Sequence, residues 1–144
     1  MNKWTPENIT SLTGKSIVIT GASSGIGMAA ANTLAKKGAH VIAAVRNPDK
    51  ASKVLHRDIE IKRLDLTDLN RISEFASTIN NQIDILLNNA GIMAVPLGRT
   101  AQGFELQMGT NHFGHFALTG FLLDRKSTRL NSSHTDISRM PSSA

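Results

Sequence analysis

The chain has 144 residues, enough for one domain with a sizeable core and too few for two. Hydrophobic residues make up 40% and charged residues 19%, a globular composition; the absence of Cys excludes disulfides and thiolate chemistry, and the absence of Tyr excludes any step that needs a phenol. The formal net charge of +5 comes from scattered basic residues with few aromatics between them, so it reads as a solvated surface, with no nucleic-acid partner and no membrane footprint expected.

Trp4-Thr5-Pro6-Glu7-Asn8-Ile9 predicts a short helical start, with Thr5 as N-cap, Pro6 in the first turn and Trp4 packed on Ile9. Residues 15–20 are apolar and β-branched between Gly14 and Gly21, which predicts a strand buried on both faces. From 26 to 37 a helix is expected, with Ile26, Ala29, Ala30, Thr33 and Leu34 on its packed side and Lys36, Lys37 and Gly38 closing it. The alternation repeats as a strand over 40–45, a short helix over 48–55, a strand over 59–64, a helix over 67–80 and a strand over 83–87. After a loop containing Gly91, Pro96 and Gly98, residues 101–123 read as mostly helical. Four βα units predict an α/β fold, an open doubly wound parallel sheet whose ligand belongs beyond the carboxyl ends of its strands. No apolar run is long enough to span a membrane and residues 1–12 lack the layout of a secretion signal, so the protein is expected in the cytoplasm.

Thr20-Gly21-Ala22-Ser23-Ser24-Gly25-Ile26-Gly27 follows a predicted strand and opens a predicted helix. In that setting Gly21 permits the tight turn, Gly25 lets the backbone approach a pyrophosphate, and Gly27 lets helix and strand pack closely. The helix N-terminus around Ile26 offers free N–H groups, and Ser23 and Ser24 add hydroxyls. A glycine turn without a ligand is the alternative. At the end of the second strand, where an NAD-binding domain places an acidic residue about 20 positions after the glycine loop, Val45 is followed by Arg46. A guanidinium matches a 2′-phosphate, so NADP is expected before NAD; a solvated turn Arg is the competing reading.

The G-x-x-x-G-x-G spacing with Thr before it resembles the short-chain dehydrogenase/reductase family, and Asn88-Asn89-Ala90-Gly91 at the end of the fourth strand is similar to that family's Asn-Asn-Ala-Gly motif. The resemblance covers residues 12–123; the Trp-Thr start and Gly103-Phe104-Glu105 look most like its retinol-dehydrogenase-like reductases. It implies a Rossmann domain in its N-terminal part and hydride transfer between a nicotinamide and a carbonyl or alcohol. It also implies Asp65 and Leu66 beside the adenine, Asn88 fixing the local backbone, Ala90 and Gly91 beneath the nicotinamide ribose, and Asn111 as the catalytic asparagine. Asp65 can equally start the turn into the next helix with Thr67, and Asn111 can be a solvent-facing helix residue. His112 and His115 read as ordinary helix residues, since their i, i+3 spacing lacks a third metal ligand.

The family continues with a serine strand and a Tyr-x-x-x-Lys helix, and neither is present here. Residues 124–144 instead hold six Ser and four hydrophobic residues without a period. Asp124-Arg125-Lys126-Ser127-Thr128-Arg129-Leu130-Asn131-Ser132-Ser133-His134 can be encoded by a run that resembles a common sequencing-library adapter. The expectation is therefore a truncated dinucleotide-binding domain over 1–123, inactive by itself, followed by a non-native tail; a natural disordered tail is the alternative. A non-catalytic dinucleotide-binding module is the competing functional class, and a Rossmann-like methyltransferase is disfavoured by Arg46 and the Asn-Asn-Ala-Gly segment. Truncation is expected to leave the fourth strand as an apolar edge.

Overall fold

The computed structural model describes residues 3–131, with side chains described to residue 123. Strands β1 (Ser16–Thr20), β2 (His40–Val45), β3 (Glu60–Arg63) and β4 (Ile85–Leu87) form one parallel sheet in the order β3-β2-β1-β4. Helices α1 (Gly25–Lys36), α2 (Pro48–Ser52) and α3 (Leu69–Ser77) lie between the strands. The chain then runs from a short α4 (Leu106–Met108) through a π-helical turn (Gly109–Gly114) into α5 (His115–Asn131).

β1 is buried at every position, in keeping with the β-branched run from Ile17 to Thr20, and it divides the core. Ile17, Ile19, Val41, Ala43 and Val45 pack on one face with Ala31 of α1 and Ala51 of α2. Val18, Ile42 and Ala44 pack on the other with Ile72 and Phe75 of α3 and Leu118 of α5. This two-residue alternation places a helix layer on each face of the sheet. The connections leave β1 in opposite directions, to β2 and later to β4, so the topological switch point lies at the carboxyl ends of β1 and β4, where the chain reads Gly21 and Asn88.

Several boundaries differ from the sequence expectation for local reasons. β4 starts at Ile85 and not at Ile83 because Asp84 is turned to accept from the Ser16 N–H at 2.9 Å and from Lys15 Nζ at 3.0 Å. α3 starts after Asp68, whose side chain caps the Asn70 N–H at 2.9 Å, since Thr67 is held in a turn by Asp65. α2 ends at Ser52, and β3 is shortened to Glu60–Arg63. On α1 the buried residues are Gly27 and Ala31, whereas Ile26 is 82% exposed. A run of small residues carries little periodic contrast, so its sequence did not reveal which stripe faces the sheet. Trp4 is 68% exposed, not stapled on Ile9, while the Thr5 N–H donates to Asn8 Oδ1 at 2.7 Å.

The helix expected over 101–123 begins only at Leu106, contains the π turn and continues to Asn131. Residues 124–131, read from the sequence as the start of the tail, are thus helical, although only Arg125, Lys126, Arg129 and Leu130 among them are good helix formers. Residues 132–144, most of the stretch read as a tail, lie outside the described residues.

Candidate functional site

The carboxyl ends of the four strands, which lie at one end of the parallel sheet, carry the residues singled out in the sequence. Gly21 follows β1, Arg46 follows β2, Asp65 lies just beyond β3, and Asn88 follows β4. Thr20 and Ala44 are register partners, as are Val45 and Arg63, so these ends are level with one another.

Gly21 adopts φ +67, and a Cβ on it would lie 2.8 Å from the Cα of Ala90. A Cβ on Gly27 would overlap the Asn89 side chain and sit 2.6 Å from the Gly21 carbonyl oxygen. The glycine loop is thus pressed against the Asn88–Gly91 segment, and only hydrogen fits at either position. Gly25 differs: its φ is +54, and nothing lies within 4 Å of the place a Cβ would take. Beyond it α1 begins with Ser24 as N-cap in an extended conformation and without a side-chain cap. The first backbone N–H of this helix with a protein acceptor is that of Met28, bonded to Ser24 O at 3.2 Å. The N–H groups of Gly25, Ile26 and Gly27 therefore have no protein partner among the described residues, as at any uncapped helix start. The hydroxyls of Ser23 and Ser24 likewise have no partner among the described residues.

Arg46 is exposed and makes no ion pair or hydrogen bond among the described residues. Its neighbour Asn47 is committed to capping α2 through the Lys50 N–H at 3.0 Å. Asp65 accepts from the N–H and Oγ1 of Thr67 at 3.0 and 2.7 Å, the turn-starting role; it also borders a cavity of about 350 Å³ with Arg63, Arg71 and Phe75. Leu66 is buried, and its carbonyl oxygen would stand 2.6 Å from a Cβ on Gly114, which brings the π turn down onto the end of β3.

Asn88 donates from Nδ2 to Thr119 Oγ1 at 3.2 Å. Asn111 lies on the π turn, a helix irregularity frequent at functional sites. Its carboxamide pairs with one residue: Oδ1 accepts from the Ile92 N–H at 2.9 Å and Nδ2 donates to the Ile92 carbonyl at 2.7 Å. Gly91 is adjacent, since a Cβ on it would be 3.6 Å from Asn111 Oδ1. The structure thus brings Gly21, Gly27, Asn88, Ala90, Gly91 and Asn111 into one contiguous unit; Arg46 and Asp65 stand beside it on neighbouring strand ends.

Two residues to which the sequence assigned no role in the site, Thr20 before the glycine loop and His115 read as an ordinary helix residue, join this unit. Thr20, the last residue of β1, accepts at Oγ1 from the N–H groups of Asn89 and Ala90, both at 2.9 Å. His115 places Nε2 2.9 Å from the same hydroxyl and Nδ1 3.0 Å from the Asn111 carbonyl. With both ring nitrogens engaged, His115 has none left for a metal beside His112. The signals present in sequence were a hydroxyl at the carboxyl end of the apolar run Ile17-Val18-Ile19 and the i, i+4 spacing of Asn111 and His115.

The model of the short chain dehydrogenase family matches residues 15–131. The chain belongs to the short chain dehydrogenase family. Human retinol dehydrogenase 13 is 42% identical over 123 residues, covering 78% of this chain and 37% of the relative. Human retinol dehydrogenase 12 is 43% identical over 125 residues, covering 79% and 40%. The chain therefore spans well under half the length of these curated relatives. Among solved structures, a protein from Mycobacterium paratuberculosis superposes with a TM-score of 0.79 at 48% identity, over 85% of this chain and 46% of the other. A short chain dehydrogenase from Escherichia coli CFT073 solved with NADPH gives a TM-score of 0.65 at 32% identity, over 78% and 53%. The expected family and doubly wound fold are thus found, and the family is one of oxidoreductases.

Proposed function

We propose that this chain is the dinucleotide-binding part of an oxidoreductase that takes NADP(H) in preference to NAD(H). The parent reaction moves a hydride between the nicotinamide and a small-molecule carbonyl or alcohol. The observation that carries the reading is the opening at Gly25: a positive-φ glycine with empty space at its missing side chain, in front of three backbone N–H groups without protein partners. A pyrophosphate fits that combination of room, donors and helix dipole. When bound, the dinucleotide supplies the hydride donor or acceptor. Gly25, Ile26 and Gly27 would hold its phosphates with Ser23 and Ser24, Asp65 and Leu66 would border the adenine, and Ala90 and Gly91 the nicotinamide ribose. Asn111 enters as a positioning residue, because its carboxamide oxygen and nitrogen both bond to the Ile92 backbone and thereby set the chain after Gly91.

NADP is favoured because Arg46, at the end of β2, has no partner among the described residues, and its planar fork suits a 2′-phosphate. In calorimetry of the 144-residue chain, NADPH is expected to bind more tightly than NADH by about tenfold, the value of a charge-assisted hydrogen bond. Arg46→Ala is expected to bring the two affinities together. Equal affinities in the unmutated chain would remove the 2′-phosphate assignment, and no binding of either would remove the site. No carbonyl reduction with NADPH is expected, since the chain contains no Tyr to move the proton.

A second reading, a non-catalytic dinucleotide-binding module, keeps the same glycine loop and its open helix start. Genomic sequence downstream of codon 123 separates the two: a Tyr-x-x-x-Lys segment there supports the truncated oxidoreductase with residues 124–144 as a non-native tail. Cytoplasmic residence belongs to the same proposal and is checked by cell fractionation; no described helix is long and apolar enough to cross a membrane.

A further inference from the structure

We propose that His115 is a positioning residue, locked as the neutral Nδ1–H tautomer, that ties the π turn carrying Asn111 to the end of β1 and to the backbone of Asn89 and Ala90. The assignment follows from counting donors and acceptors. The Thr20 hydroxyl has two lone pairs and one proton. Both lone pairs are taken by the N–H groups of Asn89 and Ala90 at 2.9 Å, so its proton must go elsewhere. Two acceptors face it: the Leu87 carbonyl at a long 3.4 Å and His115 Nε2 at 2.9 Å. The shorter contact is the bond, so Nε2 is bare and accepts. On the other side of the ring the Asn111 carbonyl, 3.0 Å from Nδ1, can only accept, so Nδ1 carries the proton. One tautomer satisfies every atom, and the opposite one leaves a donor facing a donor and an acceptor facing an acceptor.

The location gives this pairing consequence. Thr20 is completely buried and the His115 residue is 6% exposed, so a lost partner leaves polar groups without water to replace it. His115 also holds its own turn, since its backbone carbonyl accepts from Thr119 Oγ1 at 2.8 Å, and Thr119 Oγ1 accepts from Asn88 Nδ2 at 3.2 Å. Through its ring and its carbonyl, this one residue thus joins both asparagines of the Asn88–Gly91 segment to α5. The segment it braces is the one pressed against Gly21 and Gly27, and it leads directly to the Ile92 backbone held by Asn111. His115 therefore sets where the glycine loop, the Ala90–Gly91 backbone and Asn111 lie relative to one another.

The test uses the 144-residue chain and has one arm independent of any ligand. Nitrogen NMR of His115 at neutral pH is expected to show a protonated, pyrrole-type Nδ1 and an unprotonated, pyridine-type Nε2. A protonated Nε2, or a fast average of the two tautomers, overturns the proposal. Amide hydrogen exchange at Asn89 and Ala90 is expected to speed up in His115→Leu and Thr20→Val. It should stay near the unmutated rate in His115→Gln, whose amide presents a donor and an acceptor at a similar separation, and in Thr20→Ser. If His115→Gln opens these amides as much as His115→Leu does, the ring acts by packing alone and the proposal fails.

The affinity arm rests on the dinucleotide reading above. There His115→Leu weakens NADPH binding by about tenfold, the cost of leaving buried polar groups unpaired, and His115→Gln restores most of it. Equal affinities of the unmutated chain and His115→Leu overturn the proposed effect on the site. If the unmutated chain binds no NADPH, the dinucleotide reading fails while the tautomer and exchange results still decide the role of His115.

Discussion

Gly25 and Gly27 are two positions apart and do opposite things, a difference that a single methyl group can expose. At Gly27 a Cβ has no room, because the Gly21 carbonyl is 2.6 Å from it and backbone cannot yield as a flexible side chain does. Gly27→Ala is therefore expected to destabilise the fold by roughly 1–3 kcal/mol, the usual cost of overpacking, seen as a lower midpoint in thermal or urea unfolding. At Gly25 the space is open and the obstacle is φ +54, so Gly25→Ala costs only about 1 kcal/mol of backbone strain. Its larger effect should fall on NADPH affinity, because the methyl fills the opening in front of the free N–H groups. If both variants change stability alike and neither changes affinity, the division of labour is wrong. The strand-glycine-helix context revealed which glycines matter, but not that Gly27 is constrained by Asn89, 62 positions later by their residue numbers, since that contact exists only after β1 and β4 pair.

The loop of residues 98–105 closes on itself through an antiparallel bridge between Arg99 and Glu105, and two carboxylates fasten it to the helices on either side. Asp68 caps α3 and also accepts from Gln102 Nε2 at 3.1 Å, while Leu69 N–H donates to Gln102 Oε1 at 3.1 Å. Glu105 caps the start of α4 by accepting from the N–H groups of Gln107 and Met108 at 2.8 and 2.7 Å. The Gln102 amide and then the Asn70 N–H hold the Asp68 carboxyl below its ordinary value; the Met108 and Gln107 N–H groups do the same for Glu105. A carboxyl whose pKa is lower folded than unfolded releases its proton more readily when folded. Its contribution is present above the unfolded value, near pH 4, and is lost as the pH falls through the lower folded value. Melting temperature is expected to hold from neutral pH to about pH 5 and to fall below it; Glu105→Gln should flatten that acid limb. An acid limb of unchanged slope in Glu105→Gln would exclude Glu105 as a contributor.

Elements with a strong period, β1, β2 and α3, were legible in the sequence because burial on two faces or one stripe writes itself into residue type. The π turn was not. Its Gly109 and Gly114 are fixed by close approach to Thr100 and to the Leu66 carbonyl, contacts that local propensity does not encode.

At the scale of the molecule, an open sheet has two edges, and here they are unlike. β3 presents Glu60, Lys62 and Arg63, with Lys62 paired to Glu60 at 3.0 Å, so that edge is blunted by charge. β4 is Ile85-Leu86-Leu87, short and entirely apolar, and among the described residues it has no strand beyond it. Ile85 is 39% exposed there, and on α5 Phe116 and Leu123 are 75% and 61% exposed. Unpaired backbone groups flanked by apolar side chains form a template for another strand, as the sequence reading of an exposed fourth strand anticipated. The chain alone is expected to associate as its concentration rises, through the β4 edge. Analytical ultracentrifugation of the unmutated chain should show a weight-average mass that climbs with concentration. Ile85→Lys places a charge on that edge and should hold the mass nearer the monomer, whereas Glu60→Lys on the already charged edge should leave the association unchanged. An unmutated chain that stays monomeric at high concentration would mean that three residues are too short a template. Association that survives Ile85→Lys would move the contact from β4 to the exposed face of α5.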